Sequence, residues 1–353
     1  MRITRFGVER THVPLPEPFT VSLGVIDSAD LAIVTLETDD GLVGYGEGSP
    51  TPFVTGETGE SVLAALKLFE PLLLGADPFA IDAIHRGMDQ ILVRNGSAKA
   101  AVDLALHDLC AKAAGLPLYR YLGGASGSVE VDMTIGLGEP EAMAAAAAGL
   151  VAKGYRRIKV KAGADEARDV AAIRLIREAA PEAQLQVDAN QGWDVATALR
   201  MLAVYADLGV VACEQPLPFW DLDGTAYLRR RSPVPIMVDE GCFTPQDASA
   251  IVRRQAADTV NIKLMKCGGI HRARQINTIA ESAGVTCMIG CMLESRLAIA
   301  AGAHLAAATP NIVLADLDSF LDFDDSPLVA SAFAFDPPWI HLPDAPGLGV
   351  ELA

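Results

Sequence analysis

Short apolar, β-branched runs recur through the second half of the chain, and each closes on a charged residue. They read IKVK (Lys159, Lys161), LQVD (Asp188), VVACE (Glu214), IMVD (Asp239) and VNIK (Lys263). From Lys161 onward the closing residues stand 27, 26, 25 and 24 positions apart. The stretches between them are amphipathic and of helix length. A strand, a helix and two turns need about that many residues, so the pattern predicts a βα repeat. Extended in both directions, it predicts eight strands: Val129–Ile135, Arg157–Lys161, Leu185–Asp188, Val210–Glu214, Ile236–Asp239, Thr259–Leu264, Thr286–Cys291 and Ile312–Asp316. After Glu214, the prolines at 216, 218, 233 and 235 leave room for a short helix only. Such a repeat predicts a modified (β/α) TIM-type barrel, in which strand C-terminal ends share one mouth.

The chain ahead of the barrel follows a different pattern. Strand signals cover Ile3–Val13, Leu31–Thr38 and Leu42–Glu47, and Asp39-Asp40-Gly41 joins the last two as a hairpin. Helical periodicity follows, clearest over Ala98–Ala114. The prediction is an α+β module over 1–125, ending at the GGASG of Gly123–Gly127. The barrel would occupy 126–320. The tail, 321–353, has no clear period and is rich in proline and glycine, and it is expected to pack back on the first module.

Composition narrows the function classes. About half of the 353 residues are hydrophobic, enough for a large core, and the formal charge is −17. Nucleic acid or an anionic membrane would call for a basic face, so neither is an expected partner. No apolar run reaches transmembrane length, Ala142–Ala152 being short and broken by Gly149. The opening MRITRFGVERTHV lacks the apolar core of a signal peptide. Six scattered cysteines without metal spacing read as reduced thiols and, with the rest, as a cytoplasmic location. The histidines show no paired-ligand spacing, and His107 and His304 read as packing or capping residues.

Asp188, Glu214 and Asp239 end three successive strands. Three hard oxygen donors with open positions suit Mg²⁺. No histidine or cysteine ends these strands, which disfavours zinc. Lys159 and Lys161 share the interior face by period-two alternation. Mutual repulsion is expected to lower their pKa and free one as a base. Lys263, on the sixth strand, faces Lys161 on the second if the eight strands close. Proton abstraction beside a carboxylate needs such a set, because the enolate must be stabilised electrostatically.

The pieces KVK at 159–161, DANQGW at 188–193, EQP at 214–216, DE at 239–240 and NIKLMKCGG at 261–269 together resemble the muconate-lactonizing subgroup of the enolase superfamily. The resemblance runs essentially the full length and implies that the N-terminal module is a capping domain. It implies Mg²⁺ on Asp188, Glu214 and Asp239, with Lys161 and Lys263 as opposed acid/base groups. Lys159 would help hold the substrate carboxylate and depress the pKa of Lys161.

Within that subgroup, Asp316-x-Asp318 at the end of the eighth strand is similar to the pair with which dipeptide epimerases hold a substrate amino terminus. Two carboxylates pointing into an acidic mouth call for a cation, and a free α-ammonium supplies one. The segment GCMLES, Gly290–Ser295, also resembles that family, which brings Met292 to the substrate. The resemblance places two substrate-covering loops at Phe19–Asp30 and Ser49–Thr58. The arginine of Ala-Glu-specific members aligns with Gly24 here, and Phe19–Asp30 contains no Arg or Lys, which disfavours an acidic C-terminal residue. Asp27, Asp322, Asp324 and Asp325 would suit a cationic residue, and an uncharged one is equally allowed. The expected activity is epimerisation of L,L-dipeptides to L,D-dipeptides. The alternatives are an N-succinylamino acid racemase, an o-succinylbenzoate synthase, or a non-catalytic small-molecule-binding barrel. A homo-oligomer is compatible with all of them.

Overall fold

The computed structural model describes residues 1–21 and 23–353, with Phe19 described by its backbone alone. The first module is a three-stranded antiparallel sheet, β1 (Ile3–Val21), β2 (Gly24–Thr38) and β3 (Val43–Gly48), in that order. Helices Gly59–Leu73 and Gly96–Ala113 pack against it, and helix Ile81–Ile91 packs on those two. Its core joins Val34 and Leu36 of β2 to Val62, Leu66 and Phe69 of one helix and Val102 and Leu106 of another. Helix Gly96–Ala113 lies close on β3: a Cβ at Gly46 would stand 2.0 Å from the carbonyl oxygen of Ala101.

Two elements exceed the sequence expectation. β1 continues through Pro14, Pro16 and Pro18 to Val21, because β1 is a sheet edge and its outward positions need no N–H donor. Its register with β2 breaks between Pro14 and Phe19 and resumes at Phe19↔Ile26, Thr20↔Val25 and Val21↔Gly24. The stretch Phe19–Asp30 is therefore the tip of a long hairpin rather than a loop; Ser22, within it, lies outside the described residues. The stretch Ser49–Thr58 holds a short helix, Pro52–Thr55, closed by Gly56 at φ 73°.

The eight barrel strands are β5 (Met133–Ile135), β6 (Arg157–Lys161), β7 (Gln184–Asp188), β8 (Val210–Glu214), β9 (Ile236–Val238), β10 (Thr259–Lys263), β11 (Thr286–Gly290) and β12 (Ile312–Asp316). They pair in parallel and in chain order, and Asp132 N donates to the Ala315 carbonyl (2.9 Å) where the ends meet. The first predicted strand is split. Ser128–Glu130 forms β4 and leaves the barrel to pair with Trp339–His341, and the chain re-enters at Met133. The split follows from the backbone partners: Val131 N donates to Pro338 O and Asp132 N to Ala315 O, so successive residues serve different sheets. As the prolines require, the helix after β8 is short, Leu222–Arg229.

The last residues make two short strands beside β4, Ala334–Asp336 and Trp339–His341, and the pair Val329–Ser331/Glu351–Leu352. Strands of two or three residues leave no readable period. Gly347 exchanges backbone hydrogen bonds with Leu116 and Leu118, and Leu348 N donates to Asp108 (2.8 Å). Buried Asp103 joins the module to the barrel, accepting from Ile270 N (2.5 Å) and contacting His85 (2.7 Å) and His107 (3.2 Å). No sequence spacing announced that cluster. All six cysteines are free thiols. Among the described residues, no helix is long and apolar enough to cross a membrane.

Candidate active site

The strand ends bring the predicted charged residues together. Lys159 is buried, with Nζ 2.8 Å from Asp316 Oδ2, 2.9 Å from Glu214 Oε2 and 3.1 Å from Asp188 Oδ2. Lys161 Nζ lies 2.6 Å from Asp188 Oδ2 and donates to Asn190 Oδ1 (3.0 Å). Lys263 Nζ lies 3.1 Å from Asp239 Oδ2. β6 and β10 are the second and sixth of eight strands, so Lys161 and Lys263 reach one cavity from opposite walls.

Each metal-type carboxylate takes a hydrogen bond at one oxygen and turns the other toward the lysines. Asp188 Oδ1 accepts from Asn190 N (2.9 Å), and Glu214 Oε1 from Asn261 Nδ2 (2.7 Å). Asp239 Oδ1 accepts from Lys266 Nζ (2.5 Å). The second oxygens, Asp188 Oδ2, Glu214 Oε2 and Asp239 Oδ2, face the ammoniums of Lys159, Lys161 and Lys263. Gln186 Nε2 also donates to Glu214 Oε2 (2.9 Å), and Gln215 Oε1 accepts from Asp239 N (2.9 Å). The backbone bends sharply just past these ends: Asn190, Gln191 and Gln215 have φ of 38°, 70° and 34°, a region rarely used without glycine. Gly290 ends β11, and a Cβ there would stand 2.7 Å from Asn261 Oδ1 and 3.1 Å from Lys263 Cε.

The electrostatics follow from crowding. Burial opposes the Asp188 charge, but Lys161 and Lys159 outweigh it and hold the pKa at about 2. Glu214 is pushed up to about 7 by burial and by Asp188, against Lys159. Burial also opposes the Asp239 charge, yet Lys263 and Lys266 hold its carboxyl well below the usual range. Burial and repulsion from Asp239 raise Glu240 to about 7. The expected depression of Lys159 is not found. Burial works to lower its pKa, but Asp316, Glu214 and Asp188 raise it well above normal. Carboxylates, not the neighbouring ammonium, dominate its surroundings. Lys263 is likewise raised, by Asp239 against burial.

Among the described residues, no three acidic, histidine or cysteine side chains close into a finished metal cage. The donor set nevertheless fits a hard cation. Three carboxylates each present one oxygen, their other oxygens are fixed, and mutual repulsion leaves one of them inclined to protonate.

Beside this floor, Asp316 and Asp318 line the cavity, as do Thr134, Cys291, Met292 and Leu293. Thr134 N donates to Asp318 Oδ2 (2.8 Å). Burial and Asp316 raise Asp318 to about 6, whereas Lys159 outweighs burial and keeps Asp316 low. The far wall comes from the first module: Val21, Leu23, Ile26, Thr51, Phe53 and Val54. Gly24 is not in that wall; a Cβ on it would meet the Phe53 ring at 3.4 Å. Of the other acidic candidates only Asp322 lines the cavity, raised to about 7 by burial and Asp318. Asp325 is paired with Arg296 at 2.7 Å, and Asp27 and Asp324 bond neighbouring serines.

Several contributors escaped the sequence reading. Gln186 and Asn261 precede Asp188 and Lys263 by two positions, and alternation would have turned them inward. Lys266 stands in a short helical turn, Leu264–Cys267, where no strand period applies. Asp132, buried and raised well above normal by burial, Asp316 and Asp318, sits at the strand split.

A barrel with opposed lysines over three strand-end carboxylates, closed by an α+β cap, defines an enzyme site of the enolase kind. The chain matches the family model "Mandelate racemase / muconate lactonizing enzyme, N-terminal domain" over 5–123 and "Enolase C-terminal domain-like" over 142–353, and it belongs to that superfamily. It is 44% identical to the hydrophobic dipeptide epimerase of Enterococcus faecalis (strain ATCC 700802 / V583), over 99% of this chain and 100% of the relative. The structure of the dipeptide epimerase from E. faecalis V583, complexed with Mg and L-Leu-L-Tyr, superposes with a TM-score of 0.97 over 99% of each chain. The L-Ala-D/L-Glu epimerase of Bacillus subtilis (strain 168) is 40% identical over 99% of this chain and 97% of the relative. The N-succinyl-L-Arg/Lys racemase of Bacillus cereus (strain ATCC 14579) is 37% identical over 100% and 96%. These relatives are isomerases.

Proposed function

We propose that this protein is an Mg²⁺-dependent dipeptide epimerase that inverts the Cα of the C-terminal residue of an L,L-dipeptide. The observation that carries the reading is the pair Asp316 and Asp318, in one cavity with Lys161 and Lys263 and above the three carboxylates. Asp188, Glu214 and Asp239 would hold the cation. When bound, Mg²⁺ supplies the positive charge that stabilises an enolate.

Lys161 and Lys263 reach the cavity from opposed strands. One takes the α-proton on one face, and the other returns a proton on the opposite face. Lys159, fixed among Asp188, Glu214 and Asp316, carries a lasting positive charge beside the substrate carboxylate rather than acting as a base. Asp318 accepts the substrate α-ammonium, with Asp316 behind it. A succinyl carboxylate in that place would meet Asp316, Asp318 and Asp322, which disfavours the racemase reading. The cap presents apolar side chains and, among the described residues, no cationic one to the cavity. An uncharged, apolar substrate side chain fits there, and an acidic one finds no partner.

The test is incubation of L,L-dipeptides with apolar residues in D₂O with Mg²⁺. A gain of one mass unit with appearance of the L,D product supports the proposal. Faster turnover of N-succinylamino acids than of any free dipeptide overturns it in favour of the racemase.

A further inference from the structure

Of the three donors that fix the outer carboxylate oxygens, two are neutral: the backbone N of Asn190 and the side-chain amide of Asn261. The third is the ammonium of Lys266. Its side chain is wholly buried, and Nζ reaches Asp239 Oδ1 (2.5 Å), Asp239 O (2.5 Å) and Asn261 O (3.1 Å). All three donor directions are thus used inside the barrel. The chain locks it there: Leu264–Cys267 is one helical turn ended by Gly268 at φ 89°, so Lys266 turns back under the strand end it has just left. An ammonium in such a place costs desolvation energy unless its partners are fixed and anionic.

From this geometry we infer that Lys266 is a positioning residue that reserves Asp239 Oδ1 and leaves Oδ2 alone for the cation, so that the site selects Mg²⁺ over Ca²⁺. The inference rests on the metal-site reading above. The chemistry is that of coordination number. Mg²⁺ demands six ligands in near-ideal octahedral array and takes carboxylates through one oxygen, whereas Ca²⁺ takes six to eight and accepts bidentate carboxylates. With Oδ1 engaged by a buried cation, Asp239 cannot chelate through both oxygens. Neither Asn190 nor Asn261 bars its carboxylate as strongly, because a neutral donor yields an oxygen to a divalent ion more readily than an ammonium with two further buried partners. Simple repulsion between Lys266 and a cation would weaken Mg²⁺ and Ca²⁺ alike, so the ratio of the two affinities separates positioning from charge.

The experiment is calorimetric titration of the full chain with Mg²⁺ and, separately, with Ca²⁺, without substrate. Wild type, Lys266→Met and Lys266→Arg are compared. In Lys266→Met the preference for Mg²⁺ over Ca²⁺ should fall by at least about tenfold, the scale of outer-shell effects on metal affinity. Lys266→Arg, which keeps a buried cationic donor, should recover part of it. Should Lys266→Met not fold, Lys266→Gln, which keeps an N–H without the charge, is read for the same fall. An unchanged ratio, with both affinities moving together, overturns the inference. Failure of wild type to bind Mg²⁺ overturns the metal-site reading itself, and is distinguished by its appearing before any substitution.

Discussion

Asp316 Oδ2 stands 2.8 Å from the ammonium of Lys159, which also contacts Asp188 and Glu214. The first carboxylate of the Asp-x-Asp pair is therefore neutralised from within the barrel, and the second is not. Asp318 accepts from Thr134 N and lines the open cavity, so it is the member left to meet a substrate cation. The two aspartates, equivalent in sequence, differ in role because β12 turns one toward the floor and lets the other follow into the loop.

Asp318→Asn should lower kcat/KM on dipeptides by roughly one to two powers of ten, since a charge-assisted hydrogen bond is worth about 1.5–3 kcal/mol. N-acetylating the substrate should harm wild type comparably and the mutant far less, because both changes delete one interaction. Additive losses in the double comparison would place the ammonium elsewhere. Asp316→Asn should also lower the thermal midpoint, because it leaves the buried Lys159 one carboxylate short.

Lys161→Ala and Lys263→Ala should each abolish net epimerisation. Each should keep exchange of the α-proton with D₂O for one epimer only, through the surviving lysine, and the two mutants should keep opposite epimers. Proton NMR of separate L,L and L,D substrates reads this directly. Near wild-type turnover in either mutant rejects the two-base mechanism.

The barrel was legible because its signal is periodic. Apolar runs closing on Lys161, Asp188, Glu214, Asp239 and Lys263 carry strand, spacing and chemistry together, and seven of the eight strands lie where the pattern puts them, the first joining the barrel only over Met133–Ile135. What the pattern could not show is pairing across the fold. Asp132 breaks the first strand because its backbone partner is Ala315, far off in sequence. The pairing of Val21 with Gly24 lies beyond three prolines that break the strand signal after Val13. The rise in the Lys159 pKa depends on Asp316 arriving from the last strand, which local alternation between Lys159 and Lys161 does not contain. Gly24 aligned with a substrate-binding position, yet its neighbours Leu23 and Ile26 form the cavity wall.

Chelation should abolish activity and added Mg²⁺ should restore it. Asp239→Asn should weaken Mg²⁺ binding by at least about tenfold while circular dichroism stays unchanged. Full activity in excess chelator would falsify the proposed metal site. The hydrogen-bonded shell predicts a graded series: Asn261→Ala, which frees Glu214 Oε1, should weaken Mg²⁺ less than Asp239→Asn does.

The last prediction concerns the joint between cap and barrel. Glu47 of β3 is fully buried and accepts from both N and Oγ of Ser295, the residue that caps helix Arg296–Ala308 and follows the cavity residues Met292 and Leu293. Burial raises its pKa to about 8, against the hydrogen bonds from Ser295. In the unfolded chain a glutamate titrates near 4.3. Between those values the folded protein holds a proton that the unfolded chain has released. Stability from this residue is therefore present in full below about pH 4 and is lost progressively as pH rises through about 8. Glu47→Gln keeps an N–H toward Ser295 Oγ and cannot ionise. Its thermal midpoint relative to wild type should accordingly rise from pH 5 to about pH 8 and level off above that, with the mutant the more stable at the upper end. Paired melting curves in excess Mg²⁺ cancel the other titrating groups to first order. A difference that stays flat across that range would mean that Glu47 is ionised in the folded protein throughout, and that the Ser295 hydrogen bonds outweigh its burial.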